Sequence, residues 1–134
     1  MYCVGIDITD IARIERSVGN ERFCKGVYGE SELQELKSRS AQSYAGAFCA
    51  KEAISKAIGT GIRGFRLTDV ELLHDDLGAP YLKLSGNAKR IAKDRGFTHF
   101  SVSVSHTDTL CTAIVIAEKE DTSLEPQTTP LYHK

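Results

Sequence analysis

The first pattern along the chain is an alternation. In "YCVGIDIT", Tyr2, Val4, Ile6 and Ile8 share one side, and Cys3, Gly5, Asp7 and Thr9 share the other. A period of two predicts a β-strand, here with a carboxylate on its second face close to the end. Thr9 or Asp10 stands where an N-cap is needed for the helical stretch "IARIERSV", which Gly19 stops. A short helical piece follows around "ERFCKGVY". Next, "SELQ" spaces Ser31 and Gln34 as a capping box and predicts a helix through Lys37. The longest helical pattern runs from about Ser43 to Ile58, with Gly59 placed to end it. Strand patterns dominate after that. "RLTDVELLHD" and "PYLKLS" flank the hairpin connection "DLGAP", and "GNAKRIAKDRG" is a short basic amphipathic helix. "FTHFSVSVSH" and "LCTAIVIAE" are two further strands joined by "TDT", the first with Phe97, Phe100, Val102 and Val104 opposite small hydroxyls. Helices gathered early and strand pairs late predict an α+β fold, a small, mostly antiparallel sheet packed with helices. A single sheet with one apolar face also invites self-association. Residues 1–118 read as one domain, and the polar segment 119–134 as a disordered tail.

Composition narrows the function classes. The net charge of −1 argues against general nucleic-acid binding or attraction to a membrane surface. No apolar run is long enough to span a bilayer, and "MYCVGIDITD" lacks the basic flank and cleavage site of a signal peptide. The expected compartment is the cytoplasm. Cys3, Cys24, Cys49 and Cys111 are scattered singly, which reads as small core residues in a reducing environment rather than disulfides or zinc ligands.

Charge within the long helix changes the picture. In "FCAKEAISKAIGTG", Phe48, Glu52 and Lys56 fall at about 0°, 40° and 80° on the helical wheel. Ala45, Cys49, Ala50, Ala53, Ile54, Ala57 and Ile58 fill the sector from about 60° to 280°. Glu52 and Lys56 therefore sit at the edge of the core face. Three readings stay open: a surface pair stabilising by about 0.2–0.5 kcal/mol, a structural buried pair, or a site. Small neighbours and the Gly59-Thr60-Gly61 end would let a ligand approach closely. Asp7, between Ile6 and Ile8, must be exposed at the sheet end, hydrogen-bonded or bound to a cation. Asp7 with Glu52 would give two hard oxygen donors suited to Mg²⁺, with Lys56 as a cation beside the same phosphates. Elsewhere the signals are weaker. His106 follows the hydroxyl face Ser101, Ser103 and Ser105, which makes an anion contact chemically reasonable. "GTGIRGFR" is no Walker A loop, because its glycines follow a helix instead of opening one. Arg13, Arg16, Arg22 and Lys25, mixed with Glu15 and Glu21, read as a solvated face or as a docking patch for an acidic partner.

Taken together, "VGIDITDIARIE", "AGAFCAKEAISKAIGTGI", "DLGAPYLKL" and "SVSVSH" resemble, in order, the bacterial holo-[acyl-carrier-protein] synthases. These are the small 4′-phosphopantetheinyl transferases, and the resemblance covers roughly residues 2–117. It implies transfer of phosphopantetheine from coenzyme A to a serine of an acyl carrier protein, releasing 3′,5′-ADP. By position, Asp7 and Glu52 would hold Mg²⁺ against the pyrophosphate. Lys56 would neutralise the phosphates and assist the leaving group, and Glu52 would help to deprotonate the serine. Ser105 and His106 would contact the nucleotide end, and Gly59, Thr60 and Pro80 would line its path. Arg13, with Arg16 and Arg22, would meet the acidic carrier. The resemblance also implies a homotrimer with sites at subunit boundaries. Two departures stand out. Ala47 occupies a position where many relatives have arginine, whose phosphate contact would be either missing or supplied by Arg63 or Arg66, and Gly26 replaces a basic residue of some relatives. A binding protein that holds coenzyme A without transfer, or a purely structural oligomer, are the competing readings.

Overall fold

The computed structural model describes residues 1–120 of the chain. The elements follow in the order β1 (Tyr2–Asp10), α1 (Ile11–Val18), α2 (Glu21–Val27), α3 (Glu30–Leu36), α4 (Ala41–Ile58), a 3₁₀ turn (Leu67–Asp69), β2 (Val70–His74), β3 (Pro80–Leu84), α5 (Gly86–Asp94), β4 (Phe97–His106) and β5 (Leu110–Lys119). The α+β class agrees with the hydrophobic pattern. The single sheet does not. The strands form two antiparallel sheets, one in the order β1-β5-β4 and the other the hairpin β2-β3. Strand β5 includes Lys119, one residue past the expected domain end, and residues 121–134 of the expected tail lie outside the described residues.

Local chemistry explains the element ends. Asp10 caps α1 by accepting from the Ala12 N–H at 3.0 Å. Helix α3 starts earlier than the Ser31–Gln34 spacing predicts. Gly29 is its N-cap, and the Glu32 side chain reaches back to the Gly29 N–H at 3.1 Å. Helix α4 ends as expected at Gly59, whose φ of 91° is a left-handed conformation that glycine adopts without strain.

Helix α4 is the centre of the core, buried on nearly every side between β1, β5 and α1. Its approach to β1 depends on Gly5. A Cβ there would lie 1.9 Å from the Ala53 carbonyl oxygen, so only glycine lets helix and strand come this close. This choice turns the sheet. The small face of β1 and the small residues Cys111, Ala113 and Ala117 of β5 pack inward. The large residues face out: Val4 is 62% exposed, Ile6 60% and Ile8 65%, beside Ile114 and Ile116. A bulge between Phe97 and His99 aligns Phe97 with Phe100, Val102 and Val104 on the inner side of β4.

A second device fixes α4. Lys51 is fully buried and paired with Glu32 at 2.6 Å, and it donates to the Leu67 and Val70 carbonyls as well. Glu32 accepts from the Leu72 N–H at 2.7 Å, and its own N–H donates to Glu71. Burial pushes the Glu32 carboxyl up and the Lys51 amine down from their ordinary values, against the attraction between them. The knot ties α3, α4 and β2 together. The four cysteines are free thiols, with Cys49 and Cys111 buried as expected.

Candidate active site

The close β1–α4 packing sets Asp7 against the exposed side of α4. Lys56 Nζ donates to Asp7 Oδ1 at 3.2 Å and to the Ile6 carbonyl at 3.0 Å. The Asp7 side chain is only 17% exposed, whereas that of Lys56 is 53% exposed, so the ammonium keeps access to ligand. Asp7 is held from behind. Its Oδ2 accepts from Thr9 Oγ1 at 3.0 Å and Cys49 Sγ at 3.4 Å, and its carbonyl accepts from Thr112 Oγ1 at 2.8 Å. Ile6, Asp7, Ile8, Lys56 and Thr112 line an open cleft of about 330 Å³.

Glu52 lies one turn before Lys56 and has no protein hydrogen-bond partner for its carboxylate among the described residues. Burial and then the negative charge of Asp7 push its pKa up, while Lys56 and Arg13 pull it down. Two carboxylates that repel each other beside open solvent are a donor set that a divalent cation would relieve. No cluster of three or more His, Cys, Asp or Glu able to hold a metal occurs among the described residues. Two hard donors nonetheless fit Mg²⁺, which retains waters and takes further oxygens from phosphates.

A second cleft lies at the other edge of the same sheet. Pro80 opens β3 opposite His74 of β2, and His106 ends β4. His74, Pro80 and His106 line a cleft of about 270 Å³ with Gln42, Ser43 and Gly46 of α4. The first turn of α4 contains no acidic residue, and Ser40 makes no side-chain cap. The helix dipole there is left uncompensated and favours negative charge.

A family model of the 4′-phosphopantetheinyl transferase superfamily matches residues 3–115. The chain belongs to this superfamily. Among phosphopantetheinyl transferases, the holo-[acyl-carrier-protein] synthase of Fusobacterium nucleatum is 43% identical over 116 residues, covering 84% of this chain and 95% of that protein. The Helicobacter pylori holo-[acyl-carrier-protein] synthase, solved in complex with coenzyme A, superposes with a TM-score of 0.77 at 32% identity, over 86% of this chain and 99% of that one. The Neisseria meningitidis enzyme gives a TM-score of 0.80 at 31% identity, over 87% and 98%.

Within this phosphopantetheinyl transferase, the residues singled out by sequence fall into distinct groups. Asp7, Glu52 and Lys56 converge at the β1 edge, and Pro80 and His106 share the second cleft. Ser105 points the other way. It is exposed on the outer sheet face opposite Thr112, because strand alternation separates it from His106. Gly59 and Thr60 lie beyond Lys56 at the end of α4, where Arg95 donates to the Ile58 carbonyl at 3.0 Å, and neither lines either cleft. Arg13, Arg16 and Arg22 are exposed on α1 and α2, and the Arg13 guanidinium stacks 5.7 Å from the Phe48 ring centre. Ala47 is buried, and Arg63 and Arg66 do not line the second cleft. Sequence reasoning missed His74 there. Glu35, which holds it, lies 39 residues earlier in the chain.

Proposed function

We propose that this chain transfers 4′-phosphopantetheine from coenzyme A to a serine hydroxyl of an acyl carrier protein. The Asp7–Lys56 pair at an open cleft, with Glu52 near enough to feel the charges of both, carries the reading. In the transfer, the serine oxygen bonds to the phosphorus that bears pantetheine. The bond from that phosphorus to the bridging oxygen breaks, and 3′,5′-ADP leaves. Such a reaction needs positioning and charge more than covalent help. Asp7 and Glu52 would hold Mg²⁺, which supplies positive charge to the pyrophosphate oxygens. Lys56, anchored by Asp7 and the Ile6 carbonyl, supplies a second positive charge for the leaving phosphate. Glu52, whose affinity for protons is raised, accepts the serine proton directly or through a water molecule.

The same reading makes the working enzyme a homotrimer, with each site shared between copies. Two features support it. The outer sheet face exposes Val4, Ile6, Ile8, Ile114 and Ile116 together, an apolar patch of the kind that marks an interface. In addition, β1 and β4 are opposite edges with β5 between them. The Asp7 cleft and the His106 cleft would meet when the β1 edge of one copy adjoins the β4 edge of the next. Repetition of such a head-to-tail contact closes a ring. Gly59, Thr60 and Ser105 would then border the coenzyme A path. Exposed Arg13, Arg16 and Arg22 would receive the acidic carrier, with Arg13 nearest to Glu52. Neither nucleic acid nor a membrane belongs to the reading, whose setting is the cytoplasm. No helix among the described residues is long and apolar enough to cross a membrane.

Intact-mass spectrometry of an apo acyl carrier protein, incubated with this protein, coenzyme A and Mg²⁺, tests the proposal. The expected result is a mass gain of one phosphopantetheine on the carrier serine, abolished by EDTA. Binding of coenzyme A without any mass gain across several carriers would contradict it.

A further inference from the structure

The second cleft contains one imidazole that sequence reasoning did not assign, His74. No lysine or arginine lines it among the described residues, whereas two imidazoles do, His74 from β2 and His106 from β4. Their geometry is alike. His74 Nδ1 lies 3.1 Å from Glu35 Oε2, and the His74 backbone N–H donates to Glu35 Oε1 at 3.3 Å, so one carboxylate grips both ring and backbone. His106 Nδ1 lies 3.3 Å from the Thr107 carbonyl oxygen. Carboxylate and carbonyl oxygens accept only, so the proton belongs on Nδ1 in both rings, and each Nε2 is left for a ligand. An imidazolium in this setting donates Nδ1–H to its holder and Nε2–H to an anion. The other groups around His74 do not compete for that role. Gln42 and Ser43 of α4 and Pro80 of β3 are uncharged, and Asp75 turns into its own loop, accepting from the Leu77 and Ala79 N–H groups at 2.9 Å.

We infer that His74, oriented by Glu35, is a specificity-determining contact for the ribose 3′-phosphate of coenzyme A. The inference rests on the proposed phosphopantetheinyl transfer, in which the pyrophosphate belongs to Asp7, Glu52 and Lys56. The remaining phosphate of the donor is the 3′-phosphate, and the side chains lining this cleft that can take up a positive charge are the two imidazoles. His74 is thereby a recognition residue outside the chemical step. It acts on which donor binds and leaves the serine attack untouched.

Isothermal titration of the full chain with coenzyme A and with 3′-dephospho-coenzyme A separates this role from a structural one. A charge-assisted contact of this kind corresponds to about a tenfold change in affinity. His74→Gln should weaken coenzyme A about tenfold and leave 3′-dephospho-coenzyme A within about twofold of wild type. Glu35→Gln, which keeps an acceptor but loses the charge, should give a smaller loss confined again to coenzyme A. Circular dichroism should show both variants folded as the wild type. Equal weakening of both ligands, or no change in their ratio, would overturn the assignment while wild-type transfer still stood. Failure of wild-type protein to bind either ligand would instead overturn the transferase reading, and the His74 assignment with it.

Discussion

At the β1 edge of the three-stranded sheet, Asp7 and Lys56 line an open cleft, and Glu52 lies within reach of their charges. At the β4 edge, two imidazoles face a cleft that no described lysine or arginine lines. The first set holds hard oxygen donors beside a fixed cation, a place for bond making at phosphorus. The second holds two imidazoles engaged at Nδ1, with Nε2 left for a ligand, a place for recognition. Strand β5 lies between them, and in the proposed homotrimer one chain would offer the chemical half of one site and the recognition half of another. The difference teaches that opposite edges of one small sheet carry different chemistry. Under the proposed homotrimer, the outward apolar sheet face and the placing of the two clefts at opposite edges would serve one assembly.

The largest effect expected is at the chemical edge. Glu52→Gln should reduce transfer by about 10²–10³-fold, comparable with loss of one preorganised charged group, with coenzyme A binding largely retained. Thermal unfolding should not suffer. A carboxyl whose native pKa is raised above the unfolded 4.5 gains protons more readily when folded, so its contribution to stability grows as pH falls and is absent at neutral pH. The melting temperature of Glu52→Gln at pH 7 should equal or slightly exceed wild type. A fall would make Glu52 structural. For the same reason, metal affinity measured by titration should weaken on acidification from a pH above the ordinary carboxylate value. Next comes the contact between copies. Ile114→Lys should place a charge in the apolar face at a cost of several kcal/mol. Sedimentation should shift toward the monomer, and transfer should fall at low protein concentration, recovering as concentration rises. At the recognition edge, His106→Ala should weaken coenzyme A about tenfold, with turnover at saturation nearly unchanged. The smallest effect belongs to the surface. Arg13→Glu should raise the KM for the carrier about threefold to tenfold, more than for coenzyme A; equal effects on both would undo the docking role.

Much of the chemical edge was legible in the sequence because it depends on local periodicity. Alternation placed Asp7 on one face of β1, helical spacing placed Glu52 and Lys56 on one side of α4, and Gly59 marked the stop. The rest depends on contacts distant in sequence. Lys51 looks like any charge next to Glu52, and nothing nearby announces that Glu32 and the Val70 carbonyl seal it in. His74 acquires meaning only when α3 docks Glu35 on β2. Which face of β1 turns outward was settled by Gly5 against the Ala53 carbonyl, a helix–strand contact that a strand pattern does not contain. The Ser105–His106 separation, in contrast, was available from the period of two that placed Asp7.

The most direct test of a site shared between copies is to refold Glu52→Gln chains together with His106→Ala chains in equal amounts. Transfer is then assayed with coenzyme A well below its dissociation constant. If each site draws Glu52 from one copy and His106 from the next, every mixed trimer has one fully wild-type site, about a quarter of all sites after random assembly. Transfer should then rise well above the average of the two variants refolded separately. A mixture no more active than that average would contradict the account and put each complete site within a single chain.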